Sequence, residues 1–438
     1  MSLLEIGAEA PLRTSAHFWA LWGGQLVSLV GSGTTSFALG VWVFQRTGST
    51  VQLALVALCA ALPGLLLSPV AGTLIDRWNL RSAMLLSDGA AALVTVVVAI
   101  LLLTDRLAPW HLYVTTAVSS AFTAFHWPAY VAATSRLVPA KHWGRLSGAV
   151  QATESSAQLI APALGGLLLA SVGLSGVVLL DLATFVVALT ALLATRVPSV
   201  PRPCPGALDT PSLWRETAEG WAYITSRPGL VGLVALSCVM SLGVGFLEIL
   251  SAPIVLSFAS PAALGTVRSF AGGGMLLGSL AMSIWGGPKN RIAGIVVAQA
   301  ALGMHVALMG LHTAVWFLAA AGFVALFTIP VINGCTQTIW QTKVSAHLHG
   351  RVFALRRLAI LSRPAGYFLA GFLAERVFEP LMTRTDVAPA IGSVIGTGPG
   401  RGSALLLLLV GAFTVAATLA AARYRPLRCI QEELPDAC

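Results

Sequence analysis

The sequence predicts an all-α polytopic membrane protein whose twelve transmembrane helices form two six-helix bundles. Its 438 residues are 56% hydrophobic and only 10% charged, with a mean hydropathy of +0.83, far above the apolar share of a soluble domain. Apolar runs of about 20 residues, enough to cross a hydrocarbon layer ~30 Å thick as a helix, recur along the whole chain. The longest polar interval divides these runs six and six, as a boundary between domains does.

The spans fall at residues 17–44, 51–73, 83–103, 110–134, 146–169, 175–195, 230–257, 263–285, 292–312, 314–338, 358–378 and 404–424. Barrel strands are excluded, because those are about 10 residues long and alternate polar with apolar, whereas these runs are continuous. Twelve crossings leave both termini on one side. Most of the Lys and Arg lie there, and Arg268 is read as standing within a span. The positive-inside rule then makes both termini cytoplasmic. The net charge of +9 is thereby spent on topology, and no nucleic-acid partner is implied.

Residues 1–16 lack a basic start followed by an apolar core, so the first span is expected to act as its own insertion signal. Six scattered cysteines form no C-x-x-C pair, so neither a zinc site nor a disulfide frame is indicated. The glycine-rich stretch Gly396 to Arg401 lacks the Lys and Ser or Thr of a phosphate-binding loop and reads as a flexible outer loop. With no ATP site and no cofactor motif, the energy source left is an ion gradient.

The predicted domains are residues 1–196, a linker 197–229 and residues 230–438. The linker is rich in proline (Pro198, Pro201, Pro203, Pro205, Pro211). Within it, Leu213, Trp214, Thr217, Trp221 and Ile224 share one helical face, which fits an amphipathic surface helix or plain linker. Two six-helix bundles joined by one such segment match the design in which each half contributes to a midplane cavity and the halves rock about it. That design predicts transport of a small molecule by a monomer.

Several motifs carry a family resemblance. Gly72, Asp76, Arg77 and Arg81 lie in the turn after the second span, and this turn resembles the signature loop of the major facilitator superfamily. The resemblance implies a conformational latch, in which Gly72 permits close helix approach and Asp76 accepts hydrogen bonds from a helix N-terminus. The same charges also serve as ordinary topology determinants. In the fifth span, Ala157, Ala161, Pro162, Gly165 and Gly166 resemble the superfamily's antiporter motif, associated with exporters; ordinary small-residue packing is the alternative. Further resemblance in Phe125 to Pro139, Gly350 to Phe353 and Leu373 to Pro380 points to the branch holding the enterobactin exporter and macrolide efflux proteins, some of which accompany nonribosomal peptide pathways. No arginine lies between Val114 and Ala124, where drug/proton antiporters often carry one.

Ionisable groups at membrane depth cost about 2.5–3.5 kcal/mol on insertion scales, so each is a functional candidate. Glu154, Asp181 and Glu248 are the candidates for proton coupling, while Asp88 lies near the cytoplasmic end of span three. Glu154 and Gln158 share a helical face with Ala161 and Gly165. Glu248 and Arg268 are expected to pair across spans seven and eight, as an outer gate or as a neutral internal ion pair. Cavity-lining candidates are Gln25, Ser28, Ser32, His126, Trp127, Gln158, Asn333 and Gln337; bonds between helices are the competing use of such groups. The leading expectation is proton-coupled export of a small amphipathic or aromatic natural product or drug, with alternating access. Uptake by symport is the alternative, and a polytopic transferase the remote one.

Overall fold

The structure is a computed structural model that describes residues 11–75, 78–137, 143–195, 221–344, 349–383, 392–393 and 395–433. Every expected span is a helix: α1 (Pro11–Thr47), α2 (Thr50–Ile75), α3 (Leu80–Leu103), α4 (Pro109–Leu137), α5 (Trp143–Ser171), α6 (Gly173–Ala194), α7 (Pro228–Leu256), α8 (Pro261–Trp285), α9 (Arg291–Met309), α10 (Val315–Lys343), α11 (His349–Leu373) and α12 (Arg401–Arg423). Among the described residues, nine are long and apolar enough to cross a membrane. The others, α4, α5 and α11, have the length but are more polar: α5 carries Gln151, Thr153, Glu154, Ser155, Ser156 and Gln158, and α11 carries four arginines.

Helix ends follow local chemistry. Gly48, at φ 66°, closes α1 with its N–H on the Phe44 carbonyl, 2.7 Å away. Asn79 caps α3 by accepting from the Arg81 N–H. Ser260 and Pro261 open α8, and Gly286 at φ 72° ends it. Beyond Leu373, α11 passes through one π-helical turn, Ala374–Phe378, into a last helical turn, Glu379–Thr383.

The chain forms two compact units, residues 1–39 with 59–204, and residues 40–58 with 205–438. In the first unit α3 packs on α4 and α6, and its faces divide cleanly. Met84, Asp88, Thr95 and Ala99 are buried, while Leu86, Leu93, Val97 and Ile100 are exposed. Both sets recur at helical spacing. An apolar outer stripe beside a partly polar inner one inverts the order of a soluble protein and suits a lipid surround. The start of α1 and the neighbouring ends of α2 to α6 enclose an apolar cluster that includes Leu21, Met84, Tyr130 and Leu192.

In the second unit α7 packs on α11 and α12, α8 on α10, and α9 on α10 and α12. Glycines set how closely the helices approach. A β-carbon on Gly274 or Gly278 of α8 would strike the backbone of Phe323 or Phe327 on α10. One on Gly366 of α11 would stand 2.7 Å from the Leu242 carbonyl oxygen and 3.3 Å from the Gly245 Cα on α7. After α12, Gln431 accepts from the Arg291 N–H at the start of α9, 2.9 Å away, and its own carbonyl receives Lys343 Nζ at 2.8 Å.

The α7–α11 approach predicts that Gly366→Val overpacks this contact, costing about 1–3 kcal/mol, while Gly23→Ala, with open space around its Cα, is neutral or stabilising. Melting temperatures in detergent check both; a Gly366→Val protein as stable as the parent removes the claim that the backbones touch.

Candidate functional site

The α1 stripe that the sequence marks as cavity lining spends two of its members on buried acids. Gln25 Nε2 donates to Asp88 Oδ2 on α3 at 3.0 Å, and Ser32 Oγ donates to Asp181 Oδ1 on α6 at 3.1 Å. Ser28, between them, is also buried. Gln25 and Ser32 therefore tie helices inside the first unit, the competing use that the sequence left open for this stripe. Asp181 is only 2% exposed. Around it stand hydroxyls: Ser32, Thr184, Thr35 and Thr95. Gly31 is required beside them, since a β-carbon there would lie 3.0 Å from Asp181 Oδ1 and overlap the Thr184 hydroxyl.

At the other end of this stripe, His126 Nε2 on α4 stands 3.1 Å from Asp88 Oδ1. The imidazole stacks on Tyr130, with centroids 6.1 Å apart, and Tyr130 lies near Thr153 on α5. His126 was also expected to line the cavity, and here it faces an acid. Trp127 is 40% exposed.

The antiporter-like residues bring α5 against α1. Ala157, Ala161, Gly165 and Gly166 are buried. Thr34 Oγ1 donates to the Ala161 carbonyl at 3.4 Å, and a β-carbon on Gly165 would come within 2.7 Å of the Phe37 ring. Pro162 lies within the helix and removes one backbone donor. Glu154 is half-buried and Gln158 exposed. Of the latch residues, Asp76 and Arg77 lie outside the described residues, as do residues 196–220 of the linker, while Gly72 is in α2. Arg81 donates to the Leu193 carbonyl, placing a cation at the C-terminal end of α6, where the helix dipole favours it.

In the second unit, Glu248 on α7 is the centre of a charged cluster. Its carboxylate pairs with Arg363 on α11, whose Nε stands 3.0 Å away, and Tyr367 donates to the same group. Arg268 on α8 donates to the Ser251 hydroxyl at 3.0 Å and to the Glu248 backbone carbonyl. Arg363 is thus a guanidinium on this carboxylate that the sequence reading did not name, and the charge of the expected partner, Arg268, also acts on Glu248. Arg363 escaped notice because it follows Arg351, Arg356 and Arg357 and reads as part of an interfacial basic run; its spacing of four from Tyr367 was the available signal. The Gly245–Gly366 contact makes the pairing possible, since it lies one turn from each partner. On α10, Asn333 is exposed and Gln337 half-buried and already bonded.

Buried acids held inside bundles of membrane-length helices narrow the protein to a transporter fold, and comparison with known sequences decides the family. The Major Facilitator Superfamily profile matches residues 21–363. The chain belongs to the major facilitator superfamily. It is similar to macrolide efflux protein A of Streptococcus pyogenes, 26% identical over 365 residues that cover 82% of this chain and 90% of that one. It is also similar to the multidrug efflux pump Tap of Mycolicibacterium fortuitum, 26% identical over 367 residues covering 80% and 87%. Among solved structures, an inward-facing, unoccupied bacterial homologue of the human lysosomal transporter Spinster matches with a TM-score of 0.69 at 15% identity, covering 96% of this chain and 98% of that one. A POT family transporter in complex with 5-aminolevulinic acid matches with a TM-score of 0.73 at 12% identity, covering 94% and 96%. These two establish the fold alone. The protein is a membrane transporter of this superfamily, not an enzyme.

The Glu248–Arg363 pair predicts a specific pattern of stability. Arg363→Gln leaves a carboxylate without its paired charge, so it is expected to lower the melting temperature more than Arg363→Gln combined with Glu248→Gln. The side chains of Arg363 and Glu248 are 43% and 37% exposed, so the coupling is expected to be only about 1 kcal/mol. Strictly additive losses in the double-mutant cycle disprove the pairing.

Proposed function

We propose that the protein is a secondary active exporter of a medium-sized amphipathic or aromatic compound, driven by proton antiport. Both termini lie in the cytoplasm in this reading. The observation that carries it is similarity to macrolide and multidrug efflux proteins across four-fifths of the chain, together with an acid buried among hydroxyls. Asp181 supports the proton half of the reading. Hydroxyl donors stabilise a carboxylate, but they supply no charge to offset its burial. Such a group binds a proton from water on one side and surrenders it when the bundle reopens on the other. Glu154, half-buried on the α5 face of Ala161 and Gly165, is the second coupling candidate. Glu248 is the third, and its ion pair with Arg363 must open before it takes up a proton.

Inside-out vesicles with an acidic lumen test the proposal. A macrolide or a lipophilic dye should accumulate inside them, and a protonophore should abolish accumulation. Asp181→Asn should reduce uphill accumulation at least tenfold while leaving cargo exchange at zero gradient within about twofold. Accumulation in right-side-out vesicles instead means uptake by symport. Full uphill export by Asp181→Asn removes Asp181 from the coupling step.

A further inference from the structure

We infer that the Asp88–His126 pair is a proton-binding site of the first unit, in series with Asp181 along α1. The inference rests on the exporter reading above. Asp88 is 7% exposed and stands about two turns inside α3. Its two oxygens have separate partners, the Gln25 amide on one and His126 Nε2 on the other. His126 Nε2 is buried and, although 3.1 Å from this carboxylate, makes no well-formed hydrogen bond among the described residues. The imidazole therefore answers to a single carboxylate, in a site walled by apolar side chains from α1 to α6.

The charge states of such a pair are unequal in cost. With one proton, the pair is either carboxylate with imidazolium or carboxylic acid with imidazole, and in both cases it is neutral overall. Without that proton it is a buried net negative charge, which low-dielectric surroundings disfavour. Loading takes a proton from water onto the pair, and unloading returns it to water, so no other reactant is needed. The His126 side chain, more accessible than that of Asp88 (16% against 9%), is the exchange point.

Few other ionisable groups surround the pair. On α4 the neighbour is Tyr130, stacked against the imidazole. On α5 the residue facing it through Tyr130 is Thr153, with Glu154 next in sequence. Gln25 of α1 is uncharged. On α3, Arg81 lies two turns back and is turned to the α6 carbonyl of Leu193. Asp181 of α6 is reached through Thr95, seven residues along α3 from Asp88. On α1 the same interval separates Gln25 from Ser32, so one stripe of α1 touches both acids about 10 Å apart.

The test compares wild type, Asp88→Asn and His126→Gln, each purified and reconstituted with a fluorescent cargo, across external pH 5.5 to 8.5. Both variants should retain cargo exchange at zero gradient within about threefold. Uphill, pH-driven transport should fall at least tenfold, and its dependence on pH should flatten. Protons released on cargo binding in weakly buffered detergent solution should drop by about one per protein. A purely structural tie between helices predicts unchanged proton release in every variant that folds. Full uphill transport with a wild-type pH profile in both variants overturns the inference. A wild type that shows no pH-driven transport overturns the exporter reading instead, which keeps the two failures apart. Should Asp88→Asn not fold, His126→Gln keeps an amide donor beside the carboxylate and carries the same readouts. Nitrogen-15 histidine spectra of the wild type give an independent check, since loss of the pair's proton must change either the protonation or the hydrogen bonding of the imidazole when cargo binds.

Discussion

Lipid offers no partner to a peptide N–H, a carbonyl or a charge, and every polar feature of this protein answers to that constraint. Backbone groups are satisfied by continuous helices, so the chain has helical spans with short connections. Side-chain charges inside the spans are satisfied by one another. Asp181 gathers hydroxyls, Asp88 gathers an amide and an imidazole, and Glu248 gathers a guanidinium and a phenol. Outside these clusters the helices present Leu, Val, Ile and Phe outward.

The same constraint governs how closely helices approach. Oily side chains gain little from leaving lipid for one another, so association depends on close packing and a few polar ties. Glycines at 245 and 366, at 274 and 278, and at 31 and 165 remove the side chain where helices meet. Each approach then sets a polar group against its partner. Gly31 opens room beside Asp181, and the Gly245–Gly366 contact aligns Glu248 with Arg363. Packing and charge placement are one arrangement in this fold, and a change at a glycine is also a change at an acid.

The sequence made the fold legible because a span has an unmistakable period and length: twelve helices stand where twelve apolar runs were read. It also exposed the acids, since an isolated carboxylate in an apolar run is conspicuous. Partners were harder to read. Gln25 and His126 lie 63 and 38 residues from Asp88 along the chain, and nothing in a one-dimensional pattern says that they meet. Polar stripes at helical spacing left two uses open, to face a cavity or to hold a neighbour. Burial decides between them, and burial is a property of the assembled bundle. Arg363 was hidden for a different reason: among several nearby arginines, one that turns inward looks like those that turn to the interface.

Transport driven by a gradient requires groups whose protonation changes with access to water, and it requires that the change cost little in the folded state. The three acid clusters meet that demand differently. Glu248 is neutralised by Arg363, so a proton gains a place there only after the pair opens, which suits a contact that reports a conformational change. Asp181 has donors without a cation, which suits binding a proton held through the cycle. Asp88 has an imidazole nitrogen 3.1 Å from one oxygen and an amide on the other. The three sites differ in the nature of each acid's nearest neighbour: a permanent cation, hydroxyls, or an imidazole.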